Sequence, residues 1–206
     1  MRSIWLVRHG EAEHNVQEIT GGWTDTALTE RGLRQVELLS RRLVQEIAGQ
    51  PVSLGCSNLQ RARHSARIIG QALGVTPEIY PQITDLNNGI AAGMTHAEAF
   101  QIAIPFQEPV VDWQPYPEAE SWRQFFTRIS KFMDEFHARQ QCTAILVTHA
   151  ATVHAIIAWW LGLPVESPTH FETHPASLSV LEYNRWEEHS LVRLNDTAHL
   201  WGIESS

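Results

Sequence analysis

Strands that alternate with helices along one chain predict an α/β domain, here a three-layer α/β/α sandwich around a mostly parallel central sheet. Three observations carry that expectation. Short apolar runs recur at Met1–Val7, Val52–Ser57 and Ala144–Val147, and each reads as a buried strand. Between them lie longer stretches whose apolar residues fall three and four apart, the spacing of one helix face. Two of the strand-like runs end on a histidine, in Arg8-His9-Gly10 and in Thr148-His149-Ala150.

The elements follow in order. After the first strand, Leu28-Thr29-Glu30-Arg31-Gly32 opens a helix with Thr29 as N-cap and Leu33, Val36, Leu39, Leu43 and Ile47 on its apolar face. Gly49-Gln50-Pro51 stops it. The second strand leads into a helix through Ala62, Ala66, Ile69 and Leu73, which Gly74 ends. Pro77 to Leu86 reads as extended. Residues 87–121 hold Pro105, Pro109, Pro115 and Pro117, which break regular structure and mark a variable lid or insert. Ser121 caps the next helix, whose apolar face includes Trp122, Phe125, Ile129, Phe132, Met133 and Phe136. A strongly apolar helix follows the Ala144–Val147 strand as far as Leu161, with Gly162 and Pro164 as its stop. Ser177–Tyr183 and Ser190–Asn195 complete the pattern as strands. No repeat or linker interrupts the series, so residues 1–206 are expected to form one domain.

Composition narrows the function classes. A chain of 206 residues with 43% hydrophobic and 18% charged residues has the make-up of a globular protein with a substantial core. Its net charge of -8 argues against nucleic-acid binding, which normally shows a basic face. The longest apolar stretch, Ala155 to Leu163, is too short to span a bilayer, and the N-terminus lacks the order of a signal peptide. Cys56 and Cys142 form no disulfide framework and no zinc-like spacing. The cytoplasm is the expected compartment. Exposed aromatics are compatible with a homodimer.

The candidate site comes from strand ends. Parallel strands carry their carboxyl ends to one edge of the sheet, where α/β proteins bind ligands. That edge would bring His9 and His149 together across 140 residues of sequence. Arg61 follows another strand at the start of a helix, where free backbone N–H groups favour an anion. Arginine forks suit phosphate oxygens, and a histidine serves as nucleophile, acid or base near neutral pH. Arg8, Arg61, His9 and His149 therefore read as a phosphate site inside an acidic protein. Two structural histidines are the bland alternative.

At these residues the chain resembles the histidine phosphatase superfamily, in its phosphoglycerate mutase-like branch. The family's opening, L-V-R-H-G-E-T-E-x-N, is similar to Leu6-Val7-Arg8-His9-Gly10-Glu11-Ala12-Glu13-His14-Asn15. Gly22, Trp23, Asp25, Leu28, Thr29 and Gly32 match the following G-W-x-D-x-x-L-T-x-x-G. Ser57 to Ala66 corresponds to S-D-L-x-R-A-x-x-T-A, with Asn58 and Ser65 as departures, and Glu120-Ser121 matches the end of a G-E-S element. Asn195-Asp196-Thr197-Ala198-His199-Leu200 is similar to a pattern of bacterial phosphatase-like members.

The resemblance implies a phosphoglycerate mutase-like fold and a metal-independent phosphatase acting on phosphomonoesters of small metabolites. It implies His9 as the phosphoryl acceptor, Arg8, Arg61 and His149 around the phosphoryl oxygens, and Asn15 as a further donor. No cofactor or metal is implied. A carboxylic acid would protonate the leaving group. The family's glutamate position is filled by Asp85, one methylene shorter; a loop-capping aspartate is its alternative reading, and Glu108 and Glu118 are weaker candidates for the acid. Ala92 stands where a second carboxylate is common, and Ala150 where glycine is usual. The runner-up activity is a phosphoglycerate-type mutase, whose relatives carry a longer insertion after the second arginine element. A non-catalytic phosphate-binding relative is the third reading, motivated by the departures at Asn58, Asp85, Ala92 and Ala150. His170 and His174 have the spacing of a helical metal pair, but Pro168 and Pro175 argue against a helix between them.

Overall fold

The alternation of apolar residues along the first strand sets the architecture. In β1 (Ser3–Arg8), Trp5 and Val7 point to one face of the sheet, while Ile4 and Leu6 point to the other. All four are buried, so both faces must be covered. On the Trp5–Val7 side lie α2 (Glu30–Ile47) and α3 (Gln60–Leu73), which contribute Val36, Leu39, Leu43, Ala62, Ala66 and Ile69. On the Ile4–Leu6 side lie α5 (Trp122–Arg139) and α6 (Ala150–Trp160), which contribute Phe125, Ile129, Met133, Val153, Ile157 and Trp160. The computed structural model describes residues 3–202; Met1 and Arg2 of the expected first strand, and residues 203–206, lie outside them.

The sheet has six strands in the order β3-β2-β4-β1-β5-β6, with β2 at Val52–Cys56, β3 at Glu78–Ile79, β4 at Thr143–Thr148, β5 at Leu178–Tyr183 and β6 at His189–Asp196. β3, β2, β4 and β1 pair in parallel; β5 is antiparallel to β1, and β6 antiparallel to β5. Five strands therefore point the same way and β5 alone is reversed. The expected three-layer sandwich is present. In the β1–β4 register, Arg8 lies opposite Thr148, which sets His9 and His149 side by side past the last paired residues.

Helix signals behave as local chemistry dictates. Thr29 caps α2 by accepting from the Gly32 N–H at 3.0 Å, and Ser121 caps α5 in a capping box with Gln124. Gly74 ends α3 with φ at 71°. The extended reading of Pro77–Leu86 needs correction. Only Glu78–Ile79 pair as strand, and Pro81 then starts a 3-10 turn to Ile83, because its fixed φ suits the first position of a helical turn. Two short helices escaped the periodicity: α1 (Glu13–Val16) and α4 (His96–Gln101) hold too few residues to show a face. α4 lies in the proline-broken segment 87–121. Among the described residues, no helix is long and apolar enough to cross a membrane.

Candidate active site

His9 and His149 meet at the carboxyl edge of the sheet, with ring centroids 5.1 Å apart. Both are buried, His9 at 2% exposure and His149 at 0%. His9 Nδ1 lies 2.7 Å from the Gly10 carbonyl oxygen, which can only accept. Nδ1 therefore carries the proton, and Nε2 faces the interior of the site as the unprotonated acceptor nitrogen. The Arg61 Nε–H donates to that Nε2 at 3.2 Å. Burial first, then the charges of Arg61 and Arg8, hold the His9 pKa well below its ordinary value, so the ring is neutral near pH 7.

Arg61 is fully buried and held by loop carbonyls: Nη1 donates to Thr24 O at 2.6 Å and Nη2 to Gly22 O at 2.8 Å. Gly22 has φ of +57°, and a Cβ there would fall 2.6 Å from Asn88 Oδ1. Glycine is required at this turn for both reasons. Arg8 is anchored through Nη1 to Thr173 O at 2.6 Å. Its Nε and the Nδ1 of His149 are buried without a hydrogen-bond partner among the described residues. An unsatisfied buried polar group costs about 1–3 kcal/mol, so the unpartnered Arg8 Nε–H and His149 Nδ1 edge in one cluster fit a site built for a ligand.

Asp85 joins this cluster. Its Oδ2 lies 3.6 Å from Arg61 Nη2 and 3.9 Å from His149 Nδ1, with 16% of the side chain exposed. Burial raises its pKa, and Arg61 and Arg8 oppose the rise. The side chain also accepts from the Leu86 N–H at 3.0 Å, so the loop-capping alternative is real and coexists with the position beside Arg61. Glu108 and Glu118 make no such approach to the cluster in any contact of the described residues. The His149 Nε2 edge is fixed by Ser57 Oγ at 2.8 Å.

The segment that carries Asp85 is clamped from several elements. Arg128 on α5 donates to Gln82 O at 2.6 Å, Thr84 O at 3.1 Å and Asp85 O at 3.2 Å, and pairs with Glu120 at 2.7 Å. The Trp23 indole N–H donates to Asp85 O at 2.7 Å. Thr148 Oγ1 donates to Ile83 O at 2.6 Å, and Thr84 Oγ1 donates to Asn58 Oδ1. Sequence reasoning missed Arg128, Ser57 and Thr173 as parts of the site. Carbonyl partners such as Thr173 leave no side-chain signal. Arg128 sits on an amphipathic helix, where an arginine reads as a solvent-facing residue.

Other expectations are modified. Asn15 is exposed; its Oδ1 accepts from the Ala12 N–H at 2.9 Å and its Nδ2 lies 3.1 Å from His14 Nε2, so it faces His14 rather than His9. His14 stands 5.9 Å from the His9 ring, with a pKa lowered to about 4 mainly by burial. The start of α3 is not a free anion site, because the Asp25 carboxylate already accepts from the Gln60 N–H at 2.7 Å. The N-cap of α6, His149, makes no side-chain cap, which leaves that helix start beside the cationic cluster. Gly10 serves packing rather than a sharp turn: its φ is not positive, and a Cβ would fall 2.4 Å from Gly32 O and 2.8 Å from Val36 Cγ2. Residues 170–174 form no helix, as Pro168 and Pro175 suggested. Among the described residues, no group of three or more His, Cys, Asp or Glu side chains is arranged to hold a metal ion.

Comparison with known proteins finds that residues 4–197 match the model of the histidine phosphatase superfamily (branch 1). An adenosylcobalamin/α-ribazole phosphatase of Salmonella typhimurium is 30% identical over 183 residues, covering 87% of this chain and 89% of the relative. A protein named probable phosphoglycerate mutase GpmB, from Yersinia pestis, is 27% identical over 208 residues, covering 97% and 95%. The crystal structure of the α-ribazole phosphatase from Shigella flexneri superposes with a TM-score of 0.77 at 27% identity, covering 95% of this chain and 96% of that one.

Proposed function

The chain belongs to the histidine phosphatase superfamily, a membership that supports a phosphoric monoester hydrolase; on that premise we propose that it hydrolyses phosphomonoesters of small metabolites through a phosphohistidine on His9, without a metal ion. The observation that carries this reading is the Nε2 lone pair of His9, fixed by the Nδ1–H to Gly10 O bond and surrounded by Arg8, Arg61 and His149. A pure binding site has no use for a neutral, oriented nucleophile among cations.

His9 Nε2 attacks phosphorus while the ester P–O bond breaks. Arg8, Arg61 and the unpartnered Nδ1 edge of His149 take the phosphoryl oxygens, the main protein contribution to phosphoryl transfer. Two guanidiniums balance a dianionic phosphoryl group when Asp85 is protonated, the state that burial favours. Asp85 gives its proton to the leaving alkoxide. Its carboxylate then takes a proton from water, whose oxygen attacks phosphorus as the P–N bond breaks. Inorganic phosphate leaves, His9 is neutral again and Asp85 is protonated again. Through both steps the Gly10 carbonyl keeps the Nδ1 proton and stabilises the charge on the phosphorylated ring.

The hydrolase reading is favoured over a mutase by the segment between Gln71 and Gln124. Its single arginine, Arg123, is paired with Asp112 at 2.7 Å and Glu166 at 2.9 Å. No arginine or lysine of that segment is then left to hold a second phosphate or a carboxylate over the site. Labelled monoester should leave an acid-labile, base-stable phosphate on His9 that is absent in His9→Ala, with release of inorganic phosphate. A His9→Ala protein that hydrolyses as well as the parent refutes the nucleophile. Bisphosphate-dependent isomerisation without phosphate release refutes the hydrolase.

A further inference from the structure

The outer face of α3 carries a second cationic feature that the catalytic reading leaves unused. A cleft of about 420 Å³ is lined by Gln60, Arg63, His64 and Arg67 of α3, with Cys56, Ala27, Pro77 and Ile79 as its less polar walls. Helical periodicity separates it from the active site. Arg61, Ala62, Ser65 and Ala66 are buried, while Gln60, Arg63 and Arg67 are exposed on the opposite face. Arg63 and Arg67 are one turn apart, so their side chains are neighbours.

Most arginines of the described residues are ion-paired, whereas Arg63 and Arg67, like Arg41 and Arg185, are not. Arg31, Arg34, Arg42, Arg123, Arg128, Arg139 and Arg193 all pair with carboxylates. Arg63 and Arg67 have no ion pair and no side-chain hydrogen bond among the described residues. Two carboxylates of adjoining segments bond elsewhere: Asp25 Oδ1 accepts from the Gln60 N–H, and Glu78 accepts from the Tyr80 hydroxyl at 2.7 Å. Arg63 acts electrostatically on the Cys56 thiol and Arg67 on His64, which places both charges at the walls of the cleft. In a chain of net charge -8, two unpaired guanidiniums facing one concavity form a local anion trap.

We propose that this cleft binds a small phosphate-bearing organic molecule, with the phosphate between Arg63 and Arg67 and the organic body against Pro77 and Ile79. Two guanidinium forks from adjacent turns suit a dianion with three oxygens, and the apolar wall excludes a fully hydrated ion as the best ligand. The site is separate from the one that holds the reacting phosphoryl group. Ala27 and Gln60 also border it, and Gln60 bonds to Asp25 of the loop whose carbonyls hold Arg61.

Benzylphosphonate is a suitable probe, because its C–P bond resists hydrolysis and the unmodified protein can be used. In a ¹H–¹⁵N NMR titration, the side-chain signals of Arg63, Arg67 and His64 should move along one saturable curve, distinct from that of Arg8 and Arg61. Arg63→Ala with Arg67→Ala should weaken the first curve by about tenfold or more, the loss of charge-assisted bonds to phosphate, and leave the second in place. Benzyl alcohol should produce no saturable shift at these residues. The proposal is overturned if Arg63 and Arg67 show no saturable response, if the double substitution leaves their curve at His64 unchanged, or if benzyl alcohol binds as well.

Discussion

Replacing Asp85 with asparagine isolates proton donation from charge placement. The amide keeps the size of the side chain 3.6 Å from Arg61 Nη2 and 3.9 Å from His149 Nδ1, but has no proton to give to an alkoxide. General acid catalysis contributes about 10²–10⁴-fold, or roughly 3–5 kcal/mol of barrier at 1.36 kcal/mol per factor of ten. That full loss is expected for an alkyl phosphate, whose leaving group needs the proton. An aryl phosphate with an acidic phenol leaves largely unaided, so the cost there should be about tenfold or less. Asparagine matches the neutral charge of the protonated Asp85 that binds substrate, so KM should stay level while kcat drops. The assay is steady-state phosphate release from the two ester classes by parent and Asp85→Asn proteins across pH 5–8. The parent's alkyl-ester rate should decline at high pH as Asp85 ionises, and the variant should lose that limb. Equal losses on both ester classes would refute the acid role and leave Asp85 as a loop cap.

Further outcomes follow from the same geometry. Arg128→Ala removes three carbonyl contacts to the 82–85 segment and the Glu120 pair, so kcat on alkyl esters should fall about tenfold with a smaller change on aryl esters; equal changes would show that Arg128 only stabilises α5. Gly10→Ala sets a methyl 2.4 Å from Gly32 O and 2.8 Å from Val36 Cγ2, and should cost about 1–3 kcal/mol by urea unfolding. An unchanged midpoint would mean that the loop and α2 separate freely. His9 and His149 have folded pKa values depressed well below 6.5, so the unfolded chain binds more protons in acid. Their stabilisation is complete above about pH 6.5 and is lost as pH falls, by up to about 1.4 kcal/mol per unit for each ring. Burial raises Asp85, which contributes the opposite slope, so the informative comparison is the parent against His149→Gln, with Asp85 kept. The parent should lose stability more steeply between pH 6.5 and 5, and equal slopes would count against a buried neutral His149.

Much of this was legible without coordinates. Alternating strand and helix signals, Thr29, Ser121 and Gly74 as caps, and the strand-end positions of His9 and His149 depend on local backbone chemistry and on periodicity. Those are properties of neighbouring residues, and a sequence displays them directly. Arg61 was readable because it follows a strand at a helix start. Short elements were not, since four to six residues at α1 and α4 carry too little periodicity, and their stability comes from what they pack against.

What the sequence by itself determined is the class of sheet and the residue types that gather at its carboxyl edge. Tertiary structure alone decided how they act. The Gly10 carbonyl selects the His9 tautomer, the carbonyls of Gly22, Thr24 and Thr173 aim the two arginines, and Arg128 with Trp23 holds Asp85. It also turned Asn15 toward His14, spent the α3 start on Asp25, and left Arg63 and Arg67 unpaired over a cleft. The physical reason is that backbone carbonyls are the same in every residue. A sequence names donors and nucleophiles; the acceptors that orient them appear only when distant segments are folded together.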